Sequence, residues 1–147
     1  MKRETVRAQR PPYQLFEHTA DLGVEIYGRD EQELFRNAAL ALADIMADRS
    51  RVEEQGRREI VAEGGDLEEL LINFLREVLS LYNSEGWLLK GCEVTEMGTC
   101  HLRATATGEP FARGRHAVAV EIKAVTYHGT EICSTPEGWI GRIVCDV

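Results

Sequence analysis

The sequence predicts an α+β fold: two merged strand-helix-strand-strand units, with two helices packed on mostly antiparallel sheet. Three observations carry this. Two amphipathic stretches each open on an Asp-x-x-Glu start signal, the rest of the chain is rich in short strand-like segments, and strand, helix and further strands follow one another twice. Identity between the halves is too low to read as a sequence repeat, so the twofold pattern rests on element order.

Tyr13 to His18 and Gly23 to Gly28 read as short strands with aromatic and β-branched residues, joined by a tight polar turn at Thr19-Ala20-Asp21-Leu22. Asp30 followed by Glu33 is a capping-box signal. Leu34, Ala38, Leu42 and Ile45 then recur at helical spacing, predicting a first helix from Glu31 to Ala47. Arg58 to Glu63 is the next strand and Gly64-Gly65 breaks it. Asp66 and Glu69 repeat the cap, and Leu67, Leu70, Leu71, Phe74, Leu75, Val78, Leu79 and Tyr82 form the strongest periodic signal of the chain. Four more strands are expected over Trp87 to Met97, His101 to Thr107, Val118 to Tyr127 and Trp139 to Val147. Gly108-Glu109-Pro110 and Pro136-Glu137-Gly138 are read as the loops between them.

At 147 residues, 44% hydrophobic and 29% charged, the chain suits one domain. A domain of this size buries about two-thirds of its unfolded surface and needs no disulfide or metal to fold. Pro11-Pro12 separates a flexible basic arm, residues 1–12, from a single domain, residues 13–147. The first ten residues hold Lys2, Arg3, Arg7 and Arg10 but no apolar run, so neither a secretory signal nor a membrane span is expected and the location is read as cytoplasmic. Past Arg10 the chain carries 13 basic and 24 acidic side chains, a net of −11, which opposes direct RNA binding. Cys92, Cys100, Cys133 and Cys145 form no Cys-x-x-Cys pair and are expected to be buried thiols.

Few residues are left for chemistry. His18-Thr19-Ala20-Asp21 could project an imidazole and a carboxylate together, although taken alone it reads first as a structural turn. Lys123, between Ile122 and Ala124, calls for a carboxylate such as Asp21 or Asp146, or else is an edge lysine that discourages aggregation. The terminal run Ile143-Val144-Cys145-Asp146-Val147 clusters oxygen donors, and Asp21 brought beside Asp146 would complete an anionic pocket for a hard cation such as Ca²⁺ or Mg²⁺. Arg113-Gly114-Arg115-His116 is a local basic spot suited to a phosphate or an acidic partner, or simply a solvated loop. Phosphate-binding glycine motifs, a nucleophile elbow and zinc-type histidine spacing are all missing, which favours an accessory protein over a self-sufficient enzyme. A metal-dependent phosphohydrolase built on Asp21, Asp146 and His128 is the enzymatic alternative.

His18-Thr19-Ala20-Asp21-Leu22-Gly23, Arg115-His116, Lys123-Ala124-Val125-Thr126-Tyr127-His128 and terminal Asp146-Val147, with Leu70-Leu71-Ile72-Asn73-Phe74-Leu75 between them, together resemble the archease family over Tyr13 to Val147. The resemblance implies a tandem strand-helix-strand-strand architecture. It also implies a non-enzymatic protein cofactor of the RtcB-type tRNA-splicing RNA ligase, promoting guanylylation of the ligase by GTP. Joining of 2′,3′-cyclic-phosphate or 3′-phosphate RNA ends to 5′-hydroxyl ends would then become multiple-turnover. Carried over, Asp21, Asp146 and Val147 would bind a divalent metal, Ca²⁺ first and Mg²⁺ or Mn²⁺ as alternatives. His18, Lys123 and His128 would surround this functional tip, and Arg115 and His116 are candidate partner contacts. The competing reading is a chaperone-like or small-ligand binding module without ligase specificity.

Overall fold

The computed structural model describes residues 11–18 and 21–147, with Glu17 and His18 described by backbone alone. The expected arm therefore lies, up to Arg10, outside the described residues, as does the turn at Thr19-Ala20. Seven strands and two helices follow in the order β1 (Tyr13–His18), β2 (Asp21–Gly28), α1 (Glu31–Met46), β3 (Gly56–Glu63), α2 (Leu67–Glu85), β4 (Trp87–Met97), β5 (His101–Pro110), β6 (Ala124–Thr135) and β7 (Gly138–Asp146), with a 3₁₀ turn at Arg49–Arg51.

Both helices start where their cap residues dictate. Asp30 accepts the Glu33 N–H at 2.8 Å while the Glu33 carboxylate takes the Arg29 N–H at 2.7 Å. Asp66 accepts the Glu69 N–H at 2.8 Å, and Glu69 reaches back to the Gly65 N–H. The correspondence goes further: Asn37 Nδ2 donates to the Tyr27 carbonyl and Asn73 Nδ2 to the Glu63 carbonyl, each at 2.7 Å. Gly28 and Gly64 admit the same close approach, since a Cβ would lie 2.4 Å from Leu34 N or 2.5 Å from Leu70 N. The frame Gly-x-Asp-x-x-Glu-Leu-x-x-Asn thus occurs twice, at 28–37 and 64–73, with the same hydrogen bonds. The α2 end is set by Gly86, left-handed at φ 64°, whose N–H returns to the carbonyls of Leu81 and Tyr82.

All strand pairings are antiparallel, in a four-stranded sheet ordered β1-β2-β7-β6 and a three-stranded sheet ordered β3-β5-β4. The units are nested rather than tandem. β2-α1-β6-β7 forms one, β3-α2-β4-β5 lies in sequence between α1 and β6, and β1 extends the first sheet. Their sheets share one strand order, and α1 packs on β2 and β4 while α2 packs on β3 and β6, so each helix bridges both units. One core results, with Phe35 of α1 and Phe74 of α2 fully buried and their ring centroids 6.0 Å apart.

Three expectations are corrected. The strand expected at Val118 to Tyr127 runs from Ala124 to Thr135, because residues 111–123 form an irregular strap tied to the end of α1 by an isolated Ala47–Val118 bridge and by the Ala119 and Val120 N–H groups to the Met46 carbonyl, at 2.7 and 3.5 Å. Gly108-Glu109-Pro110 is no loop: Gly108 pairs with Leu89 and Gly56, and β5 continues to Pro110. Cys92 and Cys145 are buried, but Cys100, between β4 and β5, and Cys133, on edge strand β6, are exposed.

Candidate functional site at the end of the four-stranded sheet

Register creates a single row across the first sheet. His18 pairs with Asp21, Leu22 pairs with Cys145 so that Asp21 and Asp146 face each other one residue further, and Asp146 pairs with Ala124. Continued by one residue past Leu22–Cys145, the antiparallel register sets Asp21 and Asp146 at neighbouring positions on the ends of β2 and β7. These two residues, 125 positions apart in sequence, lie at adjoining strand ends because β7 inserts between β2 and β6. The buried Cys145 thiol is pushed up to about 12, by burial first and by the Asp21 charge second. Lys123, exposed, donates its backbone N–H to the Asp146 carbonyl at 2.7 Å and so starts the β6–β7 pairing.

The adjacent row explains the small residue after Leu22. A Cβ on Gly23 would lie 2.3 Å from the Phe16 ring, so only glycine leaves that ring flat on the sheet, where Arg142 stacks 4.6 Å from its centroid and pairs with Glu25 at 3.3 Å. Phe16, Gly23 and Arg142 form a floor beside the carboxylates that the motif reading passed over.

His128 stands in a β6 bulge, where four residues, 127–130, oppose the single residue 143 between the Thr126–Val144 and Glu131–Arg142 pairs. The Thr126 hydroxyl reaches the carbonyls of His128 (3.1 Å) and Val144 (3.2 Å), the Thr130 hydroxyl reaches the Thr126 carbonyl, and Gly129 turns left-handed at φ 86°. The bulge interrupts the period-two alternation of β6 and leaves Tyr127 half exposed.

Several expected contacts differ. Lys123 makes no ion pair with Asp21 or Asp146 among the described residues; its link to Asp146 is through the backbone, and its place is the end of an edge strand. The His18 side chain lies outside the described residues. The donor set of Asp21, Asp146 and the adjoining Val147 is all oxygen, which suits a hard cation. Among the described residues no group of three or more His, Cys, Asp or Glu side chains is close enough to hold a metal, so two carboxylates are what these residues supply.

Arg115 and His116 belong elsewhere. His116 is buried, not a solvated basic residue: its Nδ1 accepts the Ala112 N–H at 2.9 Å, so Nε2 carries the proton and donates to Glu109 at 2.9 Å. The buried Glu109 carboxylate also accepts from Arg115 and from the Glu53 N–H at 2.9 Å. The Glu53 N–H foremost, then Arg115 and His116, hold it down to about 2. Sequence reasoning missed Glu109, since a Gly-Glu-Pro triplet reads as a turn.

No helix among the described residues is long and apolar enough to cross a membrane. Residues 13–147 match the Archease protein family (MTH1598/TM1083). The chain is 40% identical over 137 residues to the protein archease of Pyrococcus abyssi, covering 90% of this chain and 96% of that one. It is 35% identical to the protein archease of Methanosarcina acetivorans, over 95% of this chain and 99% of that one. Protein 1598 of Methanobacterium thermoautotrophicum superposes with a TM-score of 0.73 at 34% identity, covering 92% of this chain and 99% of that chain. A Thermotoga maritima archease, described as a possible chaperone, shares the fold with a TM-score of 0.64 at 23% identity, over 91% and 96% of the two chains. None of these descriptions names a catalysed reaction. On the match across residues 13–147, the chain belongs to the archease family.

Proposed function

We propose that this protein is an accessory cofactor of an RtcB-type tRNA-splicing RNA ligase, promoting guanylylation of the ligase by GTP and multiple-turnover joining of RNA ends in the cytoplasm. The observation that carries the reading is the row at the end of the four-stranded sheet, where Asp21 and Asp146 lie one residue beyond the Leu22–Cys145 pair and Lys123 is tied to the Asp146 carbonyl. It is supported by the acidic body, which disfavours RNA as the direct ligand, and, among the described residues of that row, no nucleophile stands beside an activating base.

In this reading the ligase makes the bond, and this chain supplies two carboxylates on a sheet end that reaches toward the ligase's active centre. Asp21 and Asp146, with oxygens at Val147, would hold a divalent cation, Ca²⁺ or else Mg²⁺ or Mn²⁺, which when bound would supply positive charge and Lewis acidity. Lys123 balances charge at the rim, and His18 and His128 flank the row. Charge complementarity steers the encounter, so association weakens as salt rises.

The test is ligation by a cognate ligase with GTP and divalent metal at RNA excess. Product exceeding one equivalent of ligase only when this protein is present is expected; no change on its addition rejects the proposal. A chaperone-like role, the reading suggested by the description of the Thermotoga protein, predicts instead suppressed aggregation of unrelated unfolding proteins.

A further inference from the structure

The strap of residues 111–123 leaves the second unit at the end of β5 and delivers Lys123 and Ala124 to the row that holds Asp21 and Asp146. It contains no strand or helix of its own, and only two of its thirteen residues are buried, His116 and Ile122. These are its pins. Ile122 is fully buried, and its carbonyl takes an Asn83 Nδ2 bond at 3.4 Å. His116 is held by Glu109, which also grips Arg115 on the strap and the Glu53 N–H on the segment before β3.

We infer that Glu109 is a positioning residue for the tip: by fixing His116 and Arg115 it sets the strap, and the strap's last residue, Lys123, is thereby held against Asp146. The inference rests on the proposed role of the tip for its consequence in ligation but not for its physical content.

The charge on Glu109 serves a polar anchor that an apolar pin could not replace. His116 must keep Nδ1 unprotonated to accept the Ala112 N–H, and a carboxylate opposite Nε2–H selects that tautomer. Two turn bonds, from the Arg115 and His116 N–H groups to the Ala112 carbonyl, close the loop around the same ring. With the polar pin withdrawn, Ile122 with its Asn83 bond, the Phe111 N–H to Gly86 carbonyl bond, the isolated Ala47–Val118 bridge and the Ala119 and Val120 bonds to the Met46 carbonyl remain. The middle of the strap can then shift, and the Lys123 N–H to Asp146 bond lies one residue from Ile122, the strap's one fully buried side chain.

The experiment is amide hydrogen exchange, resolved by residue, on the whole protein with Glu109→Gln and Arg115→Gln. Glu109→Gln keeps side-chain volume but removes the charge, and Arg115→Gln withdraws one donor and leaves the buried Glu109–His116 pair. The expected result is exchange at Lys123 at least tenfold faster in Glu109→Gln and a few-fold faster in Arg115→Gln, with the β2–β7 amides and α2 unchanged. Unchanged Lys123 exchange in either variant overturns the inference. So does a uniform rise at all amides, which would mark Glu109 as a general stabiliser. If Glu109→Gln does not fold, Arg115→Gln decides alone. Ligation gives the companion reading for Glu109→Gln: a lower maximal rate at an unchanged half-saturating concentration of this protein is expected, because Glu109 is buried within the chain. Altered exchange with no ligase stimulation even by the unsubstituted protein would reject the ligase role and keep the positioning role.

Discussion

The twin Gly-x-Asp-x-x-Glu-Leu-x-x-Asn frames allow one hydrogen bond to be measured in two settings. Asn37 is 7% exposed and donates to Tyr27, itself 7% exposed, whereas the geometrically identical Asn73 to Glu63 bond is at the surface. Asn37→Ala withdraws the donor from a buried carbonyl, a cost of about 1–3 kcal/mol, whereas losing an average hydrogen bond costs about 0.5–1.5 kcal/mol. Both substitutions regain helix propensity worth up to about 0.7 kcal/mol, the same amount at each site. The net expectation is a loss of about 1–2 kcal/mol for Asn37→Ala and nearly nothing for Asn73→Ala. At about 2–4 °C per kcal/mol for a chain of this length, Tm should fall by about 2–8 °C in the first and by about 0–2 °C in the second. Thermal unfolding by circular dichroism, with urea titrations at unchanged m, measures both. Equal losses, or a larger one at Asn73, would refute the argument that burial sets the value of this bond.

Three further outcomes follow. Asp30→Ala and Asp66→Ala should each cost about 1 kcal/mol in urea unfolding by stripping the cap from the Glu33 or Glu69 N–H. Glu109 has a folded pKa of about 2, below its ordinary 4.5, so its contribution is fully present above 4.5 and lost as pH falls toward 2; stability measured from pH 5 to pH 2 should drop less in Glu109→Gln than in the unsubstituted protein. Under native conditions a thiol reagent should label Cys100 and Cys133 rapidly and reach Cys92 and Cys145 only on unfolding, with burial pushing the Cys92 thiol up to about 11 as well.

Both helices were legible because cap and periodicity agree within one segment, as at Asp30 to Met46 and Asp66 to Tyr82. The strap misled because Val118, Val120 and Ile122 alternate like a strand while only Ile122 is fully buried, and β6 hid because its bulge at 127–130 interrupts the period. The duplicated ten-residue frame was present in the sequence. It escapes a comparison of halves because the second unit is nested inside the first, 36 residues along rather than half the chain away. Asp21 beside Asp146 could be suspected from the sequence, but the placing of their strands side by side depends on strand order, which no local pattern encodes. Glu109 was hidden for a related reason: its turn-like neighbours Gly108 and Pro110 say nothing of the buried histidine seven residues on.

The central claim, that the paired carboxylates at the end of the first sheet carry the function, is tested most directly with Asp21→Asn and Asp146→Asn. Each would be titrated into a cognate RtcB-type ligase with GTP, divalent metal and excess RNA ends, beside the unsubstituted protein. The account predicts that both variants keep the native circular dichroism and Tm yet leave the ligase at a single turnover. Full multiple-turnover stimulation by both variants would contradict it.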